Sequence, residues 1–193
     1  MDAARFEDIL DYAKTQGRIE LTFDDANESD YTIALPLLQA RGMKAQFFVV
    51  VDRVGQPGFL SCSQVGALLA AGMEIGNHGM RHRRWVGLCD SELREELVEA
   101  RERLEQLTRT RVQQAACPFG SYNRRVIQAL KCAGYKRVYT SDGGFASNGS
   151  WVIPRNSACD TWTAESVKAI LSAETGWFRR RWCGLKRLLK SWR

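Results

Sequence analysis

The sequence predicts a parallel α/β fold of six or seven strands alternating with helices. Short β-branched or apolar runs of strand length recur along the chain, and segments with helical spacing of apolar residues separate them. No internal repeat period interrupts this alternation. The 193 residues are 45% hydrophobic and 26% charged, with 16 glycines and 4 prolines, enough for one sizeable core.

Taken in order, residues 2–15 place Phe6, Ile9, Leu10 and Ala13 on one helical face and stop before Gly17. A strand is expected over Arg18–Phe23, running into acidic residues. Ser29 or Asp30 then caps a helix reaching Arg41-Gly42, and Ala45–Val51 forms a buried strand. A loop with Gly55, Pro57 and Gly58 leads to a helix over Ser63–Ala71, ended by Gly72, and to a brief strand at Met73–Gly76. Asp90 caps a long helix whose apolar face is Leu93, Leu97, Ala100, Leu104 and Leu107. The remaining elements are a strand over Val112–Cys117, a helix over Asn123–Ala133, strands at Lys136–Thr140 and Trp151–Ile153, and a helix over Ala164–Ala173.

The formal charge of +6 points first to nucleic acid, an anionic membrane or an acidic polymer, but its distribution disfavours a basic nucleic-acid-binding domain. Residues 177–193 hold seven basic and no acidic groups, so residues 1–176 hold 21 basic against 22 acidic, a net of −1. The chain therefore divides into a neutral body, 1–176, and a basic tail, 177–193, and no nucleic-acid partner is expected. Phe178, Trp182, Leu185, Leu189 and Trp192 fall on one helical stripe of that tail, the composition of an interfacial helix on an anionic membrane, of a helix packed on the body or, third, of a site for a charged partner protein or polyanion. The six cysteines include no C-x-x-C pair, and no apolar run long enough for a signal peptide or a membrane span is found. The expected location is cytoplasmic, with peripheral contact at the inner membrane face.

Chemistry concentrates at strand ends. The two histidines of the chain are His78 and His82, directly after a predicted strand. At i, i+4 they share a face if the segment is helical, and two imidazoles so spaced can hold one metal. Alone they also read as turn residues. Asp24-Asp25 ends another predicted strand; neighbouring carboxylates repel there, and a divalent cation relieves the repulsion. Together these residues compose a His₂Asp site: Asp25, His78 and His82 as ligands, Asp24 as the base that takes a proton from the attacking water.

Thr22-Phe23-Asp24-Asp25, then His78-x-x-x-His82, then Pro118-Phe119-Gly120 resembles, in order and separation, the polysaccharide deacetylase pattern (NodB homology, carbohydrate esterase family 4). The resemblance runs from about Arg18 to Trp162. It implies a distorted (β/α) barrel of six or seven repeats, a divalent cation (zinc foremost, cobalt or nickel as alternatives), and removal of N-acetyl groups from amino sugars of a glycan or lipid-linked sugar. By position it makes Asp24 the catalytic base, Asp25, His78 and His82 the metal ligands, and Phe119 the residue whose backbone N–H holds the oxyanion. Pro118, Tyr122, Asp142 and Trp151, like Trp85 and Tyr139, are candidates for the cleft, the two tyrosines and the tryptophans as platforms for sugar rings.

Four positions depart from the pattern. Ala26 stands where the family has glycine, and Gly79 where it has serine or threonine. Ala116-Cys117 precede Pro118 where an arginine normally orients the catalytic aspartate, so Arg155 or Arg81 is expected to supply that guanidinium. The general-acid histidine is missing, since no third histidine exists. Two functions follow: a metal-dependent N-deacetylase with another acid, or a weakly active or inactive relative acting as a carbohydrate-binding or scaffold protein.

Overall fold

The computed structural model describes residues 2–17, 19–147 and 149–172. Six strands are present, β1 (Leu21–Asp24), β2 (Ala45–Val49), β3 (Glu74–Asn77), β4 (Gln114–Ala116), β5 (Arg137–Thr140) and β6 (Val152–Pro154). They pair in parallel in the order β1-β2-β3-β4-β5-β6. The helices are α1 (Ala3–Gln16), α2 (Leu35–Ala40), α3 (Cys62–Ala70), α4 (Asp90–Arg94), α5 (Ala100–Thr108), α6 (Arg124–Cys132) and α7 (Ala164–Ser172). The expected alternation is thus observed, with six strands, most shorter than the sequence runs that announced them. The tail 177–193 and the boundary at 176 lie outside the described residues. Among the described residues no helix is long and apolar enough to cross a membrane, and no disulfide joins two of the described cysteines.

Local chemistry explains most boundaries. Ser61, rather than Ser63, starts α3 through a reciprocal capping box with Gln64. Asn123 caps α6 by accepting from the Val126 N–H at 3.0 Å. Asp90 does not cap the long helix; it is the first helical residue, after Cys89. That helix carries a π-helical turn over Glu95–Glu99 between α4 and α5. The other expected cap, Ser29 or Asp30, is also absent: Ser29 makes no side-chain cap bond, and Asp30 opens a π-helical turn, Asp30–Ala34, with its side chain buried.

Alternation along the strands separates two environments. One face of the sheet packs on the helices: Phe47, Val49 and Ile75 join Leu35, Leu38, Leu68 and Leu104, while Ala115 and Val138 join Leu93, Leu97, Val126 and Leu130. The other face holds a small cluster of Phe48, Ala116 and Tyr139 with Ile153. Sequential parallel strands curl the sheet until its edges face one another. Among the described residues β1 and β6 share no backbone ladder; Arg155, one residue past β6, instead bonds Asp24 and Thr22 of β1. The result is a distorted (β/α) barrel whose last seam is closed by side chains.

Candidate active site

Parallel strands all point their C-terminal ends to the same rim, and the predicted residues gather there. Asp24 ends β1 and Asp25 follows it; His78 follows β3; Phe119 follows β4; Arg155 follows β6. Ligand atoms of Asp25, His78 and His82 lie within 4.8 Å of one another. The histidines do not share a helix face, as their spacing suggested. Gly79 (φ 89°) and His82 (φ 56°) turn the backbone so that the two rings meet at 5.0 Å between centroids. Of five non-glycine residues with positive φ among the described residues, four are Asp25, Ala26, His82 and Phe119; the fifth, Arg109, ends α5. Backbone strain is concentrated around this centre. Ala26, at φ 61°, occupies a conformation that glycine adopts without cost, which accounts for the glycine of the family pattern.

Each group is oriented by a specific partner. His78 is buried, and its Nδ1–H donates to the Ala116 carbonyl at 2.9 Å, which leaves the Nε2 lone pair facing the carboxylates at 3.8 Å. His82 Nε2 lies 3.0 Å from Asp25 Oδ1. Burial pushes both imidazoles below their ordinary pKa, so both are neutral at pH 7, the form that binds cations. Arg155 grips Asp24 with both nitrogens, at 2.7 Å to Oδ1 and 2.7 Å to Oδ2. Burial acts to raise the Asp24 carboxyl, but the Arg155 bonds, the charge His78 takes up only in acid and the Arg155 charge outweigh it and hold it below the usual carboxylate range. Of the two arginines considered for this task, Arg81 is instead bound to Asp52 and Glu95.

The donor set fits a divalent cation. Two neutral imidazoles and a carboxylate converge, and Asp25 Oδ1 is buried without a well-angled hydrogen bond although three nitrogens lie within ion-pair distance. Phe119 takes φ 58° and projects outward, 56% exposed, its ring between His82 at 4.5 Å and the Arg84 guanidinium at 4.7 Å.

The remaining candidates fare differently. Pro118 and Tyr122 are buried beside this rim, and the Tyr122 hydroxyl donates to Asp142 at 2.7 Å, as does Thr140 at 2.9 Å. Asp142 therefore braces the loop after β5. Trp151 is not brought to the rim. It stands before β6, at the opposite end of the barrel, with its indole N–H on the Tyr135 carbonyl and Lys131 over its ring. Trp85 is fully buried in the helix-side core, and Tyr139 lies inside the barrel with its hydroxyl on Glu20, so neither is a sugar platform.

Sequence reasoning missed two residues. Arg53, after β2, contacts Asp25 and His82. Glu96, in the π-helical turn, is fully buried and accepts from the Met80 N–H at 2.8 Å and the Arg81 N–H at 3.3 Å, holding the loop between the histidines. Its Oε2 lies 2.2 Å from where a Cβ on Gly79 would stand, so the carboxylate fills the space that a serine or threonine would need. A signal existed: Glu96 is three residues from Leu93 and four from Ala100, a charge within an apolar stripe.

Comparison with known proteins agrees with the geometry. The chain resembles YxkH of Bacillus subtilis, 27% identical over 127 residues covering 66% of this chain and 46% of the relative. It also resembles the peptidoglycan-N-acetylglucosamine deacetylase of Bacillus cereus, 32% identical over 124 residues covering 64% of this chain and 56% of the relative. The chain thus spans about half the length of these curated relatives. Among solved structures, the deacetylase PplD of Streptococcus pyogenes in complex with acetate superposes with a TM-score of 0.81 at 21% identity, covering 87% of this chain and 86% of that one. A polysaccharide deacetylase from Bacillus cereus gives 0.78 at 23% identity, covering 88% and 61%. These superpositions show a shared fold. The polysaccharide deacetylase family model matches residues 11–138, from before β1 to the start of β5 with every residue of the Asp24–Asp25–His78–His82 centre, and the chain belongs to that family.

Proposed function

We propose that this chain is a metal-dependent hydrolase that removes N-acetyl groups from amino sugars of a glycan or lipid-linked sugar. The observation that carries the reading is the centre itself: three ligands within 4.8 Å of one another, beside a separate carboxylate held by a guanidinium fork. The Bacillus cereus relative, a peptidoglycan-N-acetylglucosamine deacetylase by name, supports the substrate class.

A divalent cation held by Asp25, His78 and His82 would polarise the acetamide carbonyl and lower the pKa of water to roughly 7. Zinc suits two imidazoles and a carboxylate; cobalt and nickel accept the same donors. Asp24 stays ionised at neutral pH and takes the proton of the attacking water, while Arg155 keeps its oxygens aimed. The Phe119 N–H is assigned to the developing oxyanion. No histidine remains as acid, so the proton gained by Asp24 is passed to the departing amine. The missing histidine equally motivates a second reading, a cation-binding relative with little or no turnover that binds carbohydrate.

The test is metal content per chain and acetate release from N-acetylated glycans, peptidoglycan fragments and lipid-linked acetamido sugars. Asp24→Asn should keep the cation and lose on the order of 10²- to 10⁴-fold in rate. Arg155→Ala should lose about ten- to a hundredfold with the cation retained. Cation binding with no acetate from any substrate would leave the second reading.

A further inference from the structure

The two carboxylates of the centre are already matched by two guanidiniums. Asp24 has Arg155 in a two-point grip. Asp25 has Arg53, whose Nη1 lies 2.8 Å from Oδ1, the oxygen that also faces His82 Nε2 at 3.0 Å and His78 Nε2 at 3.8 Å. Arg53 also donates to the Asp25 carbonyl at 3.4 Å and lies 3.3 Å from His82 Nδ1. A guanidinium has no acceptor, so the last contact makes His82 Nδ1 the acceptor and places the ring proton on Nε2. One arginine thus neutralises the ligand oxygen and fixes His82 in the tautomer whose Nε2 has no free lone pair. His78 differs: its Nδ1–H is on the Ala116 carbonyl and its Nε2 is free.

We propose that Arg53 is an internal cation that competes with the divalent ion for Asp25 and His82, so that loading the centre requires the guanidinium to withdraw. This rests on the reading of Asp25, His78 and His82 as ligands. Arg53 is the one that yields. Its contact with Asp25 Oδ1 is within ion-pair distance but badly angled, whereas both Arg155 contacts are well-formed hydrogen bonds. Its side chain is also 27% exposed against 13% for Arg155, and it rests against the Phe59 ring at 5.0 Å, a position from which it can swing outward. With Arg53 in place the centre is neutral overall before any ion enters; with it withdrawn, one negative charge awaits the ion.

The experiment measures the dissociation constant of zinc, by chelator competition, for the full chain and for Arg53→Met, Arg53→Gln and His82→Ala. Arg53→Met and Arg53→Gln should bind zinc about tenfold more tightly or better, since a unit charge within contact distance is removed. After chelator treatment both should melt at lower temperature than wild type, and zinc should restore them; two variants guard against one failing to fold. Equal or weaker zinc binding in folded Arg53 variants overturns the competition and makes Arg53 a group that merely orients Asp25. Zinc binding by wild type that His82→Ala leaves untouched overturns the ligand assignment instead. A chain that binds zinc in none of these forms overturns both.

Discussion

At the level of single residues, the centre is surrounded by groups held in states they would not choose in water. Asp30 is one of these. It is 6% exposed, and burial together with the charges of Asp24 and Asp25 outweighs the lowering influence of the Asn27 backbone and pushes its pKa up to about 8. The unfolded chain titrates this group near the ordinary carboxylate value, so between roughly pH 4 and pH 8 the folded state binds the extra proton. Its contribution to stability is complete below that window and is lost as pH rises through about 8. Asp30→Asn mimics the protonated acid at every pH. In the chelator-treated protein, where Asp24 and Asp25 carry their full charge, the variant should lose less stability than wild type between pH 5 and pH 8. The expected difference is on the order of 4 kcal/mol, read by denaturant unfolding. Parallel pH curves would show that Asp30 is ionised throughout and that its burial is tolerated by other means.

The elements show why some of this was legible and some was not. Strand positions followed from β-branched runs, and α6 from Asn123 and its apolar face, because those signals are local. The Asp24-Asp25 and His78…His82 pairs were legible because strand ends in a parallel sheet share one rim. Partners from distant elements were harder: for Asp24 the choice between Arg155, 131 residues away, and Arg81 stayed open, and Arg53, 29 residues from His82, was missed. No local pattern marks such a meeting. The helical spacing of the histidines misled in detail, since a loop strained at Gly79 and His82 brings the rings together. That loop depends on its anchors. Asn77 accepts from the Gly79 N–H at 2.8 Å, Glu96 accepts from Met80 and Arg81, and the Gly79 and Met80 carbonyls accept from Val51 and Asp52. Gly79→Ser, which would restore the family residue, should therefore harm this protein. The added Cβ meets Glu96 at 2.2 Å in a backbone conformation that side chains resist. Thermal or denaturant unfolding should register a loss of roughly 2–4 kcal/mol, with weaker cation binding as the histidines part. A serine variant as stable as wild type would mean that Glu96 moves aside freely.

On the scale of the whole molecule, the question is what keeps an open six-stranded sheet rolled up. Side chains span the seam at both ends, from the residue after β6 at the rim and from β5 at the other end. At the rim, Arg155 holds Asp24 and Thr22; at the opposite end, Tyr139 of β5 donates its hydroxyl to Glu20, just before β1, with Arg137 a further 3.7 Å from that carboxylate. Outside, α1 packs against α7, and Arg5 bonds the Asp160 carbonyl. The family's arginine before Pro118 would orient Asp24 from β4, whereas here the orienting group comes from β6, so one side chain both aims the base and clasps the seam. The lower clasp is free of that double duty, which makes it the place to test closure alone. Tyr139→Phe removes one hydroxyl from inside the barrel and leaves the ring packed on Phe48 at 4.9 Å. The Glu20 carboxylate loses its buried donor but keeps Arg137, so the cost should be about 1–2 kcal/mol in unfolding free energy. The zinc dissociation constant should not change, because Asp25, His78 and His82 hang from β1, β3 and the loop after it, upstream of the seam's other edge. Weakened zinc binding in Tyr139→Phe would mean that the centre depends on barrel closure as a whole; unchanged stability would assign the closure to Arg155 and the α1–α7 contact.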